Sequence, residues 1–364
     1  MEISICVTTV CNLYCRYCYQ GHDKKNVSMA KGTALEVAKK ILKLLKLSND
    51  QILKINYIGG EPLLNSEAIF MICEYIQGQI DEQNVDVEYS MTTNGLLLTN
   101  NIVKELEKLK FKVSLSIDGD IDSNDSNRIM RNGLGTYTQV IEGFKKFTHP
   151  EEICARMTIT KQEMNKLVKN VEHLYNIGFR KILPACNFYG EWNEEDFLRM
   201  QKNHGLLKEW YLEKYPKVSL SCFEGRFYDY YFRKGKFCKA GFPYHYSFGV
   251  DGNLYPCTYV NHKKEFLIQC DKEIPSIDNN IIEKYVKKDE KCFDCEIKRF
   301  CFGRKCGFLN LDITGSLTIV PMSICRYEKM IYKLSEEIIS ELINKKDIRI
   351  KQFEQLGKAK ENEL

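Results

Sequence analysis

Residues 3–18 read ISICVTTVCNLYCRYC, an apolar segment followed at once by three closely spaced cysteines. Ile3, Ile5 and Val7 alternate with other residues, and this period of two predicts a β-strand. The cysteines that follow have the spacing C-x3-C-x2-C, at Cys11, Cys15 and Cys18. Three thiolates on so short a loop can hold three irons of a four-iron four-sulfur cluster and leave the fourth iron without a protein ligand.

A structural zinc site is the alternative interpretation of these cysteines. Structural zinc takes four nitrogen or sulfur ligands, and His22 is the only histidine close to the three cysteines in the sequence. The ligand count therefore favours an iron–sulfur cluster.

Composition limits the possible classes of protein. The 364 residues suffice for one large domain, or for a large and a small one, and 44% hydrophobic with 28% charged residues is typical of globular proteins. The net charge is +4, and no Lys/Arg block is interleaved with aromatic residues, so we expect no nucleic-acid partner. No apolar run reaches the roughly 20 residues that span a bilayer, and no export signal precedes the first strand. We therefore expect a cytoplasmic protein without a membrane partner.

The chain has sixteen cysteines. Because no export signal is present, they favour metal or cluster ligation over disulfides. Ten of them fall into two groups, three near the N-terminus and seven between Cys238 and Cys325. We expect most of the remaining six to be small buried apolar residues, namely Cys6, Cys73, Cys154, Cys186, Cys222 and Cys270.

Strand and helix patterns alternate up to about residue 190, which predicts a parallel α/β architecture. After the first strand, further strands are expected at Ile52–Ile58, Val85–Thr93, Lys112–Ile117, Ile153–Ile159 and Lys181–Cys186. Helices are expected at Met29–Leu47, Ser66–Glu82, Asn100–Leu109, Thr136–Phe147 and Lys161–Ile177. Six such units suit an open, partial (β/α)6 TIM-like barrel with its ligands at the carboxyl ends of the strands. The predicted organisation is a barrel at 1–190, a connector at 191–237, a cysteine-rich domain at 238–326 and a terminal helix at 327–364.

The cysteine spacing resembles the cluster motif of radical S-adenosylmethionine (SAM) enzymes. The resemblance implies that the open iron chelates the amino and carboxylate groups of SAM, and that one electron releases a 5′-deoxyadenosyl radical that abstracts a hydrogen atom. Gly59-Gly60-Glu61-Pro62 follows the second strand, where this family uses Gly-Gly-Glu-Pro to hold the SAM amino group. By the same resemblance, a flavodoxin or ferredoxin would donate the electron.

Further SAM contacts are expected at the other strand ends. The resemblance implies that Tyr17 packs near the adenine. Asn94 closes the third strand, Ser116 and Asp118 close the fourth, and Arg156 on the fifth is a candidate partner for the SAM carboxylate. Asn94 could instead form a turn, and Arg156 a structural ion pair.

The seven later cysteines resemble a SPASM domain, the auxiliary-cluster extension of radical SAM enzymes that modify peptides and proteins. The resemblance implies one auxiliary cluster on Cys292, Cys295, Cys301 and Cys325, and another on Cys238, Cys257 and Cys306. With the N-terminal cluster this makes three four-iron clusters. Between the third and fourth cysteines of the central block the gap is four residues instead of the usual three. Cys306 therefore stands one residue later than the usual pattern places this ligand. A pair of zinc ribbons is the alternative.

The auxiliary cluster on Cys238, Cys257 and Cys306 has no assigned fourth ligand. Relatives supply it from a cysteine shortly after the first, where this chain has Tyr244. Cys222 or Cys270 would fill the place, or one iron stays open and binds a substrate thiol.

One residue bears on the substrate. Anaerobic sulfatase-maturing enzymes resemble this chain in length and layout and have a catalytic Asp directly after the second cysteine of the auxiliary region. Here Thr258 stands there, and a hydroxyl cannot replace a carboxylate as base. The expected function is therefore a peptide maturase that installs a thioether or other side-chain crosslink in a ribosomally made precursor peptide. Formylglycine formation is the alternative, and a non-catalytic electron carrier would leave the Gly-Gly-Glu-Pro segment without a purpose.

The substrate peptide needs to be recognised. The first predicted strand starts at the beginning of the chain, so no preceding leader-binding domain is expected. Leader recognition would then use the barrel, the connector or a separate leader-binding protein.

Overall fold

The computed structural model describes residues 1–22, 25–80, 85–232, 238, 240–241, 243–269, 274–345 and 347. Cys270 and most of the tail beyond residue 345 lie outside the described residues. The chain divides into two compact units, Met1–Arg156 with Lys239–Lys284 and Met157–Cys238 with Tyr285–Leu364. The sequence-based domain boundaries are not tested by this division, because one compact unit can hold parts of two sequence domains.

The described strands are β1 Glu2–Thr8, β2 Ile52–Gly59, β3 Asp86–Thr93, β4 Lys112–Ser116, β5 Cys154–Ile159, β6 Lys181–Cys186, β7 Ser219–Leu220, β8 His245–Phe248 and β9 Leu254–Tyr255. In the first unit their order is β5-β4-β3-β2-β1-β8-β9, and only β9 is antiparallel to its neighbour. In the second unit, the end of β5 neighbours β6, which pairs with β7 in parallel. The described strands therefore form an open parallel sheet and no closed barrel.

The described helices are α1 Lys31–Ser48, α2 Ser66–Ile80, α3 Asn100–Lys108, α4 Ile121–Asn127, α5 Tyr137–Phe144, α6 Leu167–Asn176, α7 Glu194–Lys214, α8 Ser221–Phe232, α9 Asn279–Glu283, α10 Phe302–Lys305, α11 Gly307–Thr314 and α12 Met322–Asn344. Among the described residues, no helix is both long and apolar enough to cross a membrane.

The alternation that predicts β1 corresponds to its burial. Ile3, Ile5 and Val7 are at most 2% exposed. Ile5 lies beside Tyr57 of β2, which is also fully buried. The apolar stripe of α1 is buried too, and the helix ends at Asn49, whose positive φ of 55° suits a left-handed cap. Because β1 lies between β2 and β8, the loop that follows it leaves from the middle of the sheet.

The α/β fold class and the six expected strands are confirmed, and no expected strand end is shifted by more than one residue. The expected helix at 161–177 forms only from Leu167, after a 3-10 turn at Met164–Lys166. The helix at 136–147 is shorter than expected and ends at Phe144. The short helix α4 and strands β7 to β9 were not expected, because two helical turns, or strands of two to four residues, carry too little periodicity to detect.

Five of the six isolated cysteines that we expect to be mostly buried lie in the described part of the chain, and three of these five are buried. Cys6, Cys73 and Cys186 are buried, whereas Cys154 and Cys222 are half-buried. These thiols are small apolar parts of the core.

The second unit is mainly helical. Helices α7, α8 and α12 pack against one another, and α8 also contacts β6. Asn193 and Asp196 form a reciprocal capping box at the start of α7. A small core of Ile297, Phe300, Cys301 and Tyr332 places a cysteine against the terminal helix.

Candidate functional site

Cys11, Cys15 and Cys18 lie on the loop that follows β1, and all three are partly exposed. The amide of Cys18 donates to the carbonyl of Cys15 (3.1 Å), which turns the loop tightly. The thiols are close enough to influence one another. Burial is the main cause that raises the pKa of Cys15 to about 11, and the neighbouring thiols add to it. Such a thiol is neutral at pH 7 in the free protein, and iron coordination would deprotonate it.

Backbone hydrogen bonds fix this loop independently of the thiols. The amide of Tyr14 donates to the carbonyl of Ile129 (2.7 Å), and the amide of Arg16 to that of Asn127 (3.0 Å). The ring of Tyr14 stacks on His22 at 3.6 Å. The region after α4 therefore supports the cysteine loop from one side.

Gly59 and Gly60 bring the end of β2 against the same loop. The amide of Gly60 donates to the carbonyl of Thr8 (2.9 Å), and that of Glu61 to Val10 (2.8 Å). A Cβ atom on Gly59 would overlap the carbonyl oxygen of Thr8, and one on Gly60 that of Val10. Glycine is therefore required here by close backbone approach.

The side chain of Glu61 points into the protein and is 1% exposed. Its carboxylate accepts hydrogen bonds from the Leu63 amide (3.1 Å), the Thr93 hydroxyl (2.7 Å) and the Asn94 amide (2.7 Å). Burial raises the pKa of Glu61, and these hydrogen bonds oppose the rise. The carboxylate thus joins the ends of β2 and β3, and Pro62 opens the short 3-10 helix Pro62–Asn65 that follows.

Asn94 connects β3 to the cysteine loop. Its amide nitrogen donates to the side chain of Asn12 (2.7 Å) and lies 4.0 Å from the sulfur of Cys11. Its side-chain oxygen accepts from the Leu96 amide (3.1 Å). Asn94 is therefore a turn residue that contacts the cysteine loop, and its contact with SAM stays a prediction.

Tyr17, Asp118 and Arg128 form a polar group near Cys15, in which Asp118 and Arg128 are buried and Tyr17 is partly exposed. The Tyr17 hydroxyl donates to Asp118 at 2.5 Å, and the Arg128 guanidinium lies 3.1 Å from the same carboxylate and 5.3 Å from the centre of the Tyr17 ring. Asp118 is 2% exposed. Burial alone would lower the pKa of Arg128, but the charges of Asp118, Tyr17 and Cys15 and the hydrogen bond to Asp118 together outweigh burial and raise that pKa.

Two consequences follow for the expected SAM contacts. The Asp118 carboxylate is already engaged by Tyr17 and Arg128, so its direct contact with SAM stays a prediction. Arg128 was missed in the sequence, because it follows a short helix that has no detectable periodicity.

Ser116 and Arg156 are register partners on β4 and β5, so their side chains lie on the same face of the sheet. Ser116 is half-buried and Arg156 is exposed. The Arg156 charge influences Tyr19, the residue after the cysteine motif. An exposed guanidinium beside the cysteine loop is available to an anionic group, as expected for a SAM carboxylate partner.

The turn that contains Cys257 and Thr258 lies near the cysteine loop in the same unit. The ring of Tyr259 contacts that of Tyr19, with centroids 5.8 Å apart. The Val260 amide donates to the carbonyl of Cys257 (3.2 Å) and closes the turn. Thr258 is therefore one residue from a side chain that touches the loop after Cys18.

The second unit contains the four cysteines that are expected on one auxiliary cluster. The charges of Cys301 and Cys325 both influence Cys292, and Cys325 also influences Cys301. Cys295 packs against the small core that contains Cys301. Burial is the main cause that raises the pKa of Cys292 to about 11.

The other auxiliary cysteines are divided between the units. Cys238 and Cys306 belong to the second unit, where the amide of Cys238 donates to the carbonyl of Lys305 (3.3 Å). Cys257 belongs to the first unit.

The candidates for the missing fourth ligand differ in their surroundings. The Tyr244 hydroxyl donates to the Leu47 carbonyl (3.1 Å) and so is directed at α1. Cys222 lies near Cys186 and Tyr327, and burial raises its pKa to about 12. Cys270 lies outside the described residues.

Within the described part of the chain, no three His, Cys, Asp or Glu side chains converge as a finished metal site. The donor chemistry nevertheless fits iron–sulfur ligation, since each motif offers adjacent thiols on a short loop. Gly59 and Gly60 also let the backbone at the end of β2 lie directly against the backbone of Thr8 and Val10, next to the first cysteine loop. The ligand sets themselves stay predictions.

Comparison with known proteins defines the class. Residues 5–149 match the family model described as the radical SAM superfamily. This segment contains the cysteine loop, the Gly-Gly-Glu-Pro turn and the Tyr17, Asp118 and Arg128 group. The chain therefore contains a radical SAM domain, and this family uses SAM and a four-iron four-sulfur cluster.

Curated relatives support the resemblance further. The chain is 27% identical to a cysteine-type anaerobic sulfatase-maturating enzyme of Clostridium perfringens, over 81% of this chain and 86% of that one. It is 26% identical to the radical SAM cyclopropyl synthase TigE of Paramaledivibacter caminithermalis, over 54% and 44%. An uncharacterised protein of Methanocaldococcus jannaschii is 32% identical over 48% of this chain and 59% of its own length. The chain thus spans only about half the length of two of these three relatives.

Solved structures share the fold. The structure described as native anSMEcpe with bound AdoMet and Cp18Cys peptide matches with a TM-score of 0.75, at 22% identity, over 94% of this chain and 99% of that one. Streptococcus suis SuiB bound to precursor peptide SuiA matches with a TM-score of 0.58, at 16% identity, over 89% and 75%. The chain is homologous to anaerobic sulfatase-maturing enzymes and to TigE.

Proposed function

We propose that this protein is a radical SAM peptide maturase that installs a thioether or other side-chain crosslink in a ribosomally made peptide. The observation that supports this choice is Thr258. It stands where the resemblance to sulfatase-maturing enzymes requires a catalytic Asp, on the turn that contacts the cysteine loop through Tyr259 and Tyr19.

The cofactors supply the difficult chemistry. Bound SAM and the N-terminal cluster would together provide a 5′-deoxyadenosyl radical, which abstracts a hydrogen atom from the peptide. Cys11, Cys15 and Cys18 would hold this cluster, while Gly59, Gly60 and Asn94 would line the adjacent SAM site. Arg156 would pair with the SAM carboxylate.

The auxiliary cysteines would hold two further clusters, one on Cys292, Cys295, Cys301 and Cys325, and one on Cys238, Cys257 and Cys306. An iron without a protein ligand would bind a substrate thiol, because thiolates are natural iron ligands. A flavodoxin or ferredoxin would deliver electrons. A separate leader-binding protein would be needed if the enzyme itself does not bind the leader segment of the precursor peptide.

Formylglycine formation on a sulfatase is the second candidate. It is supported by the 86% coverage of the Clostridium perfringens sulfatase-maturating enzyme. The residue at 258 argues against it, because a threonine hydroxyl near neutral pH cannot accept the proton that a carboxylate would take. TigE and SuiB illustrate other peptide chemistry among the proteins that this chain resembles.

Two peptides separate the candidates. One is a synthetic peptide with a sulfatase-type Cys motif, and the other is a cysteine-containing peptide encoded beside the gene. The crosslinking proposal expects no aldehyde on the first peptide. The second should lose two hydrogens and become partly resistant to thiol alkylation, with fragment spectra locating the link.

Substitutions at position 258 provide the matched controls. Thr258→Ala should keep much of the crosslinking turnover, because no proton transfer is assigned to this hydroxyl. Thr258→Asp tests whether a carboxylate at this position is enough for aldehyde formation. Formylglycine on the sulfatase peptide at a rate comparable to SAM cleavage by the unaltered enzyme would overturn the crosslinking proposal.

A further inference from the structure

Glu328 is a buried carboxylate beside the auxiliary cysteines of the second unit, and the proposed mechanism does not use it. It lies on α12, three residues after Cys325, and is 2% exposed. A carboxylate is rarely buried unless it is paired, because the loss of hydration costs several kcal/mol or more. Its partners therefore indicate what it does.

One partner is the backbone next to Cys301. The Phe302 amide donates to Glu328 at 2.9 Å. Phe302 is the first residue of α10, and Cys301 at the N-cap position offers no side-chain hydrogen bond of its own. Glu328 thus caps a helix turn whose usual capping residue is a cysteine, and an anionic acceptor suits this end of the turn.

The other partner is a cation on a different helix. Arg226 of α8 donates to the second oxygen of Glu328 at 2.5 Å, and its side chain is 18% exposed. The carboxylate therefore joins α8, α12 and the Cys301 turn within one unit. Both of its oxygens are used, so the carboxylate is held in a fixed position.

The charge of Glu328 lies next to the cysteine. The Phe302 amide that Glu328 accepts from belongs to the residue directly after Cys301. Additional negative charge on a cluster bound at this cysteine would be opposed by the carboxylate, because like charges repel more strongly in a low-dielectric interior. The carboxylate also engages the Phe302 amide, a donor that would otherwise be free to bond to a sulfur.

We propose that Glu328 is a positioning residue for the auxiliary cluster of Cys292, Cys295, Cys301 and Cys325, and that its charge, partly offset by Arg226, makes this cluster harder to reduce. The inference rests on the proposed function, since it requires a cluster on these cysteines. It adds a residue that holds the Cys301 turn and sets the reduction potential of that cluster.

The test is an EPR-monitored redox titration of anaerobically reconstituted full-length protein. The relevant signal is the one that Cys295→Ala removes. Glu328→Gln should make this cluster about tenfold easier to reduce at a fixed potential, which for one electron corresponds to about 59 mV in the positive direction. Arg226→Gln should shift the potential in the negative direction, because it removes the compensating charge.

Glu336→Gln is the matched control. It makes the same chemical change on the same helix, eight residues further along, or about 12 Å from Glu328. The potential of the cluster should stay unchanged in this variant. A shift equal to that of Glu328→Gln would overturn the inference, as would an unchanged potential in Glu328→Gln.

Should Glu328→Gln lose the cluster, the titration of Arg226→Gln decides the question. A negative shift supports the inference, and no shift or a positive shift overturns it. Failure of the underlying cluster assignment gives a different result. In that case Cys295→Ala would remove neither iron nor an EPR signal.

Discussion

At the scale of single residues, the Glu61 carboxylate is engaged by donors of the protein itself, and its contact with the SAM amino group stays a prediction. The sequence predicts contact of its carboxylate with the SAM amino group, yet the side chain is 1% exposed and accepts three hydrogen bonds from Leu63, Thr93 and Asn94. An effect of Glu61 on SAM would then pass through Asn94 and through the Gly-Gly turn that precedes it.

We predict that Glu61→Ala weakens SAM binding roughly tenfold to hundredfold and leaves iron content unchanged, because no iron ligand is altered. It should also lower the free energy of unfolding by about 1–3 kcal/mol, since two buried backbone amides lose their acceptor. Anaerobic calorimetry measures the first effect, and urea denaturation the second.

Glu61→Gln should behave similarly. Its single side-chain oxygen cannot accept from both the Leu63 and the Asn94 amides, which use different carboxylate oxygens. Glu67→Gln on exposed α2 surface is the control and should change neither quantity. Unchanged SAM affinity in Glu61→Ala would move the SAM site to another part of the sheet edge.

At the scale of elements, the loop after β1 is held in place by backbone hydrogen bonds. Its thiols are available for iron, while the hydrogen bonds that hold it come from the backbone of Tyr14 and Arg16. These backbone contacts do not depend on the thiols, although the Cys11 sulfur also accepts from the Leu13 amide (3.4 Å).

The combined substitution of Cys11, Cys15 and Cys18 by Ala should remove about a third of the iron and all SAM cleavage. The circular dichroism spectrum should stay the same, because the backbone contacts of the loop remain. Iron analysis and a reductive SAM-cleavage assay measure the two losses. Cys154→Ala on β5 is a control outside both cysteine groups, and SAM cleavage in the triple variant would contradict the assignment.

At the scale of the whole molecule, the N-terminal cysteine loop and the group of Cys292, Cys295, Cys301 and Cys325 lie in units of different construction. The first unit is built on a parallel sheet, whereas the second is mainly helical and places Cys301 against the terminal helix. Clusters would stabilise the second region, which has short helices and a small core.

Anaerobically reconstituted protein should bind about twelve irons if the auxiliary site of Cys238, Cys257 and Cys306 holds a complete cluster, since three four-iron clusters follow from the ligand groups. Replacement of Cys292, Cys295, Cys301 and Cys325 by Ala should remove about four of them. Metal analysis of anaerobically purified protein checks both numbers. Zinc as the main metal would contradict the cluster assignment and favour the zinc alternative.

The sequence alone determined the class of this protein. The alternation in β1, the C-x3-C-x2-C spacing and the Gly-Gly-Glu-Pro turn are local patterns, and each is set by short-range geometry that a sequence displays directly. They predicted a parallel α/β fold and a radical SAM domain, and both are confirmed.

Only the tertiary structure decided which side chains share a charge or a hydrogen bond. Tyr17 meets Asp118 and Arg128 across more than a hundred residues of chain, and Glu328 meets Arg226 across a similar separation. No local spacing encodes such pairs, because they arise where the folded chain packs distant segments together. Burial increases the energetic importance of each pair, because a charge removed from water is strongly destabilising unless a group of the protein pairs with it.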